Sequence, residues 1–237
     1  MEESPAARRA WVHPGAHLCF WVVAIGGVAL DLWSKEWAFH TLRQGGGRIL
    51  IPHVLEFQTM MNDGALFGIG SGRTVLFLLA SALALALVLW MFVQSSSRQW
   101  LLHIALGGIL AGALGNMYDR MFVQLVPWQP PGGAKPGYFV RTDHPDQIVL
   151  REYPPTESTR TWQVPATTDL PRKVGYVRDF IKIPTKIYGE RDLWPWVFNV
   201  ADMLLVGGVG ILAIRLWFER GHAGKRKEDL DSAVEKA

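Results

Sequence analysis

Cysteine is almost missing from this chain: Cys19 stands alone, inside an apolar run. One thiol excludes an intramolecular disulfide and any multi-cysteine zinc site. An excess of charge of one sign is missing too. The 24 Lys and Arg against 21 Asp and Glu leave a net +3. No basic stripe alternates with aromatics, so nucleic acid is excluded as a partner. The histidines and carboxylates show no metal-ligand spacing, and a carboxylate-only magnesium site would lack a phosphate cradle. No metal and no cofactor are expected. No Ser–His or Cys–His pair lies near the acids singled out below, which leaves nucleophilic catalysis without its usual residues.

Long apolar runs are what the chain does have. The mean hydropathy of +0.13 is modest, so these runs must alternate with a sizeable polar part. Residues 16–33, 74–93, 100–118 and 196–218 are each long enough, or nearly so, to cross a bilayer, which takes roughly 20 residues. The second run has no charged residue. A basic start followed by an apolar run also fits a cleavable signal peptide, but three further spans follow and no clear A-x-A site does, so a retained anchor is expected. Arg8, Arg9, Arg98, Arg215, Arg220, Lys225, Arg226 and Lys227 fall on one side of a four-span layout, which puts both termini in the cytoplasm. Loops 40–72 and 119–195 then face outward.

Between the spans the pattern changes. "RILIPHVLEFQTMMN" reads as strands, a short sheet element against the outer membrane surface. Residues 121–176 contain prolines, turn signals and the strand-like pieces "GYFVRT", "DQIVLREY" and "TRTWQV". This segment is too long for an ordinary connection and is expected to form a small extracytoplasmic subdomain. The expected fold is an all-α membrane protein: four transmembrane helices plus small extracytoplasmic β elements. Its parts are a membrane domain at 1–120, the insert at 121–176, a further loop and the fourth span at 177–220, and a mixed-charge tail at 221–237.

Polar residues inside the spans are the functional signal, because an ionisable group in a bilayer is costly. Asp31 and Lys35 are four apart near the end of the first span. Asn116 and Asp119 are three apart at the end of the third, and Asn199 and Asp202 three apart at the start of the fourth. Each pair shares a helical face. Each alone has a plain explanation: an ion pair at a helix end, a capping residue with a first-turn acid, or, for "GGILAGALG", a packing face of small residues. Together, three helices carry acids to a similar depth on the same side, where Asn62, Arg178 and Asp179 of the outer loops can join them. Two acids in close approach share a proton, one serving as base and the other as acid, the arrangement of aspartic proteases. Asp202 is one partner. Helix geometry favours Asp119 as the other, with Asp179 the competitor, and spacing does not separate them.

In order along the chain, these residues resemble the lipoprotein signal peptidases (signal peptidase II), the bacterial membrane aspartic peptidases. "DLWSK" (31–35) is similar to the family's D-x-x-S/T-K, "NDGALFG" (62–68) to N-x-G-A-A-F-G, "AGALGNMYDR" (111–120) to G-G-x-x-G-N-x-x-D-R, "VRDF" (177–180) to V-x-D-F, and "WVFNVAD" (196–202) to P-x-F-N-x-A-D. The resemblance implies cleavage of diacylglyceryl-modified prolipoproteins before the lipidated cysteine, in the bacterial cytoplasmic membrane near its outer face. Membrane lipid would be the other partner. It implies Asp179 and Asp202 as the catalytic pair. Asn62, Gly64, Asn116, Asp119, Arg120 and Asn199 would line or brace the site, and Asp31 and Lys35 would tie the first span to it. The departures are Leu66, Ala111 and Trp196 within motifs, and the insert at 121–176, where the family has a short link. Two alternatives stand beside it: a non-enzymatic four-span transporter or lipid-binding subunit, and an inactive family member whose insert binds a partner.

Overall fold

The computed structural model describes residues 9–42, 46–64, 74–154, 159–184 and 196–235. Four helices carry the apolar runs: α1 (Pro14–Leu42), α2 (Thr74–Gln94), α3 (Trp100–Phe122) and α4 (Val200–Glu235). An apolar chain must satisfy its backbone internally to cross a bilayer, and a helix does so within one segment. The apolar windows lie in all of α1 to α3 and in Val200–Phe218 of α4, whose helix continues well past the last apolar turn.

Helix α3 is the centre of the bundle. Two thirds of its apolar window is buried, against 22% for α1 and 11% each for α2 and α4. Its buried face is built from Ala105, Gly108, Ile109, Gly112 and Gly115, small residues that let neighbouring helices approach closely. At Gly115 the approach is obligatory, because a Cβ there would run into the Asp31 carboxylate of α1. The opposite end of the bundle is closed by an apolar cluster of Ala10, Phe20, Phe92 and Leu106. There Phe20 stacks on Phe92 at 4.4 Å.

The expectation of an all-α protein with minor β elements is overturned. Among the described residues, nine strands form two antiparallel sheets beside the four apolar helices. The first sheet has the order β1 (Gly47–Ile51), β2 (Leu55–Asn62), β8 (Val177–Lys182), β9 (Val197–Phe198). The second has the order β6 (Thr161–Pro165), β5 (Gln147–Glu152), β4 (Gly137–Asp143), β3 (Gln124–Trp128), β7 (Val174–Gly175). Hydropathy finds the spans, whereas a strand exists through its partner, and here the partners are remote in sequence. Strand β8 pairs with β2 across more than a hundred residues, with Met60 opposite Asp179 and Asn62 opposite Val177. The pieces at 48–62, 137–152 and 161–165 were readable as strands. The short or catalytic-looking segments β3, β7, β8 and β9 were not.

The second sheet occupies the stretch between α3 and β8. Its own core is Phe139, Ile148 and Leu150 under Trp128 and Trp162. Its two ends meet at a narrow neck: β3 pairs with β7, Leu125 opposite Val174, and Tyr176 donates its N–H to the Val123 carbonyl at 3.0 Å. The chain therefore leaves α3 and re-enters at β8 almost where it left, and β8 takes its place against the bundle.

Gly175 sits in that neck with its α-carbon against the Arg120 carbonyl, so that a Cβ would overlap main-chain atoms. Overpacking of this kind costs about 1–3 kcal/mol. Gly175→Ala is expected to lower the melting temperature of the purified protein, while Gly26→Ala, where nothing lies within 4 Å of the new carbon, is not; thermal denaturation of both variants checks this.

Candidate functional site

The ends of α1 and α3 and the start of α4 converge, as the sequence spacing required. Their polar residues meet in one buried cluster with β8. Asp31, Lys35, Asp119, Asp179 and Asn199 are all 0% exposed. Lys35 lies in the middle. Its Nζ is 2.7 Å from Asp31 Oδ2 and 3.4 Å from Asp119 Oδ2, and it donates to Asn116 Oδ1 at 3.0 Å. Asp31 also accepts the Ala201 N–H of α4 at 2.8 Å, so the first span is tied to the beginning of the fourth.

Helix α4 starts with a reciprocal cap. Asp202 N–H donates to Asn199 Oδ1 at 3.0 Å, and Asn199 N–H donates to Asp202 Oδ2 at 3.3 Å. This satisfies two of the donors left free at a helix start, and the helix dipole favours an acid there. The plain explanation for the Asn199–Asp202 spacing is therefore correct, but it is not the whole of their environment. Asn199 Nδ2 also donates to Asp179 Oδ1 at 2.6 Å and lies 3.2 Å from Asn116 Oδ1. One asparagine thus touches both acids. Asn62 Nδ2 donates to Asp179 Oδ2 at 2.9 Å, and Asn116 Nδ2 donates to Asp202 Oδ1 at 2.7 Å.

Strand pairing explains how Asp179 arrives. β2 brings Asn62 alongside β8, and β9 pairs with β8 before running straight into the cap of α4. Burial pushes the Asp179 carboxyl up, the neighbouring Asp202 charge pushes it further, and the Asn62 and Asn199 amides and Lys35 pull back. The balance is about 8. A carboxyl at that value retains its proton at neutral pH.

Asp119 is placed differently. Its Oδ1 receives Arg178 Nη2 at 2.8 Å, and its Oδ2 receives the Arg178 backbone N–H at 3.0 Å and faces Lys35. Helix geometry had favoured this acid as the partner of Asp202. Its oxygens are instead taken by a guanidinium and an ammonium. Arg120 donates Nη2 to the Gly64 carbonyl at 2.6 Å, while Gly64 N–H donates to Asn62 Oδ1 at 2.9 Å. The Arg120 guanidinium also lies 5.1 Å from the Phe77 ring centroid. Residues Ala65 to Gly68 of the second motif, including Leu66, lie outside the described residues.

Asp202 is not sealed off. It lines an open cleft of about 280 Å³ between α2, α3 and α4, together with Ala80, Ala84, Gly112, Arg120 and Leu205. Among the described residues no group of three or more His, Cys, Asp or Glu side chains is arranged to hold a metal ion. Two participants escaped the sequence reading. Glu36 accepts from Arg178 Nη1 at 2.6 Å, and the Tyr153 hydroxyl lies 3.5 Å from the same nitrogen. Glu36 looked like an ordinary acid at a helix end, and Tyr153 lies in the insert, for which the motifs give no guidance. At the far end of the bundle, buried His103 is 3.0 Å from Ser95 Oγ, well removed from this cluster.

Residues 23–218 match the model of the signal peptidase (SPase) II family. A lipoprotein signal peptidase of Rhodopirellula baltica is 30% identical over 218 residues, covering 90% of this chain and 78% of that protein. One of Leifsonia xyli subsp. xyli is 27% identical over 237 residues, covering 100% of this chain and 83% of the relative. A solved structure described as a bacterial membrane enzyme superposes with a TM-score of 0.59 at 22% identity, covering 92% of this chain and 96% of that one, a likeness of fold. A buried acid cluster, four apolar helices and a family match across both together lead to one conclusion: the chain belongs to the signal peptidase II family, multi-pass membrane peptidases of lipoprotein processing.

Proposed function

We propose that Asp179 and Asp202 form an aspartic dyad that removes signal peptides from diacylglyceryl-modified prolipoproteins, cutting just before the lipidated cysteine. The observation that carries this is the shared hold of Asn199 on both acids. Both carboxyls receive amide donors, and no guanidinium or ammonium is bonded to either among the described residues. The ionised acid takes a proton from water, and the resulting hydroxide attacks the scissile carbonyl carbon. The protonated acid donates to the carbonyl oxygen. A proton then passes to the leaving nitrogen as the C–N bond breaks, releasing the signal peptide carboxylate and the free amine of the lipidated cysteine.

The cleft supplies access. Its walls of small and apolar side chains, with Asp202 and Arg120 at the polar end, suit a lipid-modified peptide whose acyl chains lie between α2 and α4. The Gly64 turn, held to α3 through Arg120, lies beside the dyad and is positioned to contact the substrate backbone. The basic residues near the span ends put the cytoplasm on the side of Arg9 and Arg98, which leaves the dyad near the extracytoplasmic face of the bacterial inner membrane. Asp31, Lys35, Asn116 and Asp119 brace the pair. A transporter would call for polar groups continuing across the bilayer. The buried stretch of α3 between His103 and Asn116 carries no polar side chain, which disfavours that alternative.

In a processing assay with a lipidated prolipoprotein, Asp179→Asn and Asp202→Asn are each expected to lower kcat by about 10²–10⁴-fold, the range for a positioned acid–base group. Full cleavage by either variant would remove the dyad. The pH profile provides a second check. Below pH 8 the pair holds its shared proton. Above about 8 Asp179 ionises, the general acid is gone, and kcat/KM is expected to fall as pH rises; a profile flat to pH 10 would contradict this.

A further inference from the structure

We propose that Arg178 is a positioning residue for the Asp179–Asp202 pair, and that Tyr153 of the inserted sheet completes its seat. The inference rests on the dyad proposed above and gives the insert a part in it.

Arg178 is 4% exposed and precedes Asp179 directly in β8. Its guanidinium forks, with Nη2 on Asp119 Oδ1 at 2.8 Å, Nε at 3.2 Å from the same oxygen, and Nη1 on Glu36 Oε2 at 2.6 Å. Its own backbone N–H donates to Asp119 Oδ2 at 3.0 Å. One carboxylate of α3 therefore fixes both the main chain and the side chain of the residue before the acid. Successive strand side chains point to opposite faces, so holding Arg178 towards α1 and α3 aims Asp179 towards Asn62 and Asn199.

The same cluster reaches the other acid. Asp119 faces Lys35, Lys35 donates to Asn116, and Asn116 donates to Asp202. Asp179 is thus hung from this cluster by its main chain and Asp202 by a side-chain relay. The relative placement of the two depends on where Arg178 sits. Tyr153 closes the outer side of that seat. It follows β5 and is anchored by its N–H to the Tyr138 carbonyl at 2.9 Å. Its ring packs 6.1 Å from Phe39 of α1, and its hydroxyl accepts from Arg178 Nη1 at 3.5 Å. The insert thus contributes a wall to the ion-pair cluster, through a residue that none of the five motifs contains.

The test compares Arg178→Ala, Arg178→Lys and Tyr153→Phe in the full-length protein with a lipidated prolipoprotein, alongside Asp179→Asn and Asp202→Asn. A misplacement of about 1 Å can cost 10²-fold, so Arg178→Ala is expected to lower kcat by about that factor with KM nearly unchanged. Arg178→Lys recovers part of the loss, since an ammonium keeps the charge and loses the fork. Tyr153→Phe lowers kcat by about two- to tenfold, the worth of one hydrogen bond, and adds no further loss in the Arg178→Ala background. If Arg178→Ala does not fold, the lysine and phenylalanine variants decide. Wild-type kcat in Arg178→Lys overturns the proposal, as does a loss confined to KM, or a Tyr153→Phe effect that multiplies with Arg178→Ala. Cleavage by the aspartate variants would sink the dyad instead; inactive aspartate variants beside a fully active Arg178→Lys would sink only this inference.

Discussion

The structure turns on one buried ammonium. Lys35 Nζ sits where three helices converge, within 3.4 Å of Asp31, Asn116 and Asp119, with no exposure of its side chain. A charge there is tolerated only when oxygens surround it, because removing an ion from water without partners is prohibitive. Each of those oxygens belongs to a residue with a second task. Asp31 holds the first turn of α4. Asn116 holds Asp202, and Asp119 holds β8. Removing the ammonium would leave two buried carboxylates facing one another, the change for which breaking a buried pair costs about 3–5 kcal/mol. Stability of the bundle and placement of the acids are therefore a single constraint.

From that constraint follows which parts of the molecule the sequence announces. The spacing of Asp31 and Lys35, of Asn116 and Asp119, and of Asn199 and Asp202 is helical, and helical faces can be read directly. Those pairs do meet. The strand-like runs at 48–62 and 137–165 were also legible, since alternation and β-branched content are local properties. Asp179 was not legible in the same way. Its place depends on β2 and β9, one more than a hundred residues earlier and one only two residues long. No local pattern specifies such pairings, so a view based on helices alone ranks Asp119 above it. The motif resemblance pointed to Asp179 because family motifs retain tertiary information that periodicity lacks.

The insert shows how a membrane fold takes up a long addition. Its first and last strands pair with each other, so α3 and β8 meet as they would across a short link. A five-stranded sheet can be accommodated there because the entropy of closing a loop grows only slowly with its length, and because the sheet has its own apolar core. It is not merely carried: Tyr138, Val140, Tyr153 and Val174 pack against the cluster of Phe39, Leu125 and Phe180 beside the polar site. The orphan status of the insert in the sequence reflects the absence of a motif, not the absence of contacts.

The environments of the carboxyls explain why four buried acids need not share one role. A group that activates water needs a lone pair facing the reactant, and hydrogen bonds to cations use those positions up. Asp119 has both oxygens committed to Arg178, with Lys35 beside them, and Asp31 divides its own between Lys35 and the Ala201 N–H. Asp179 and Asp202 receive one neutral amide donor on each oxygen, which leaves further lone pairs open, and Asp202 borders the cleft. The cationic partners are thus spent on the acids that hold the frame. The neutral partners fall on the two acids of the proposed dyad. Asparagine suits that second position because its amide orients a carboxyl without adding a charge. This accounts for the gathering of Asn62, Asn116 and Asn199 around one pair of acids.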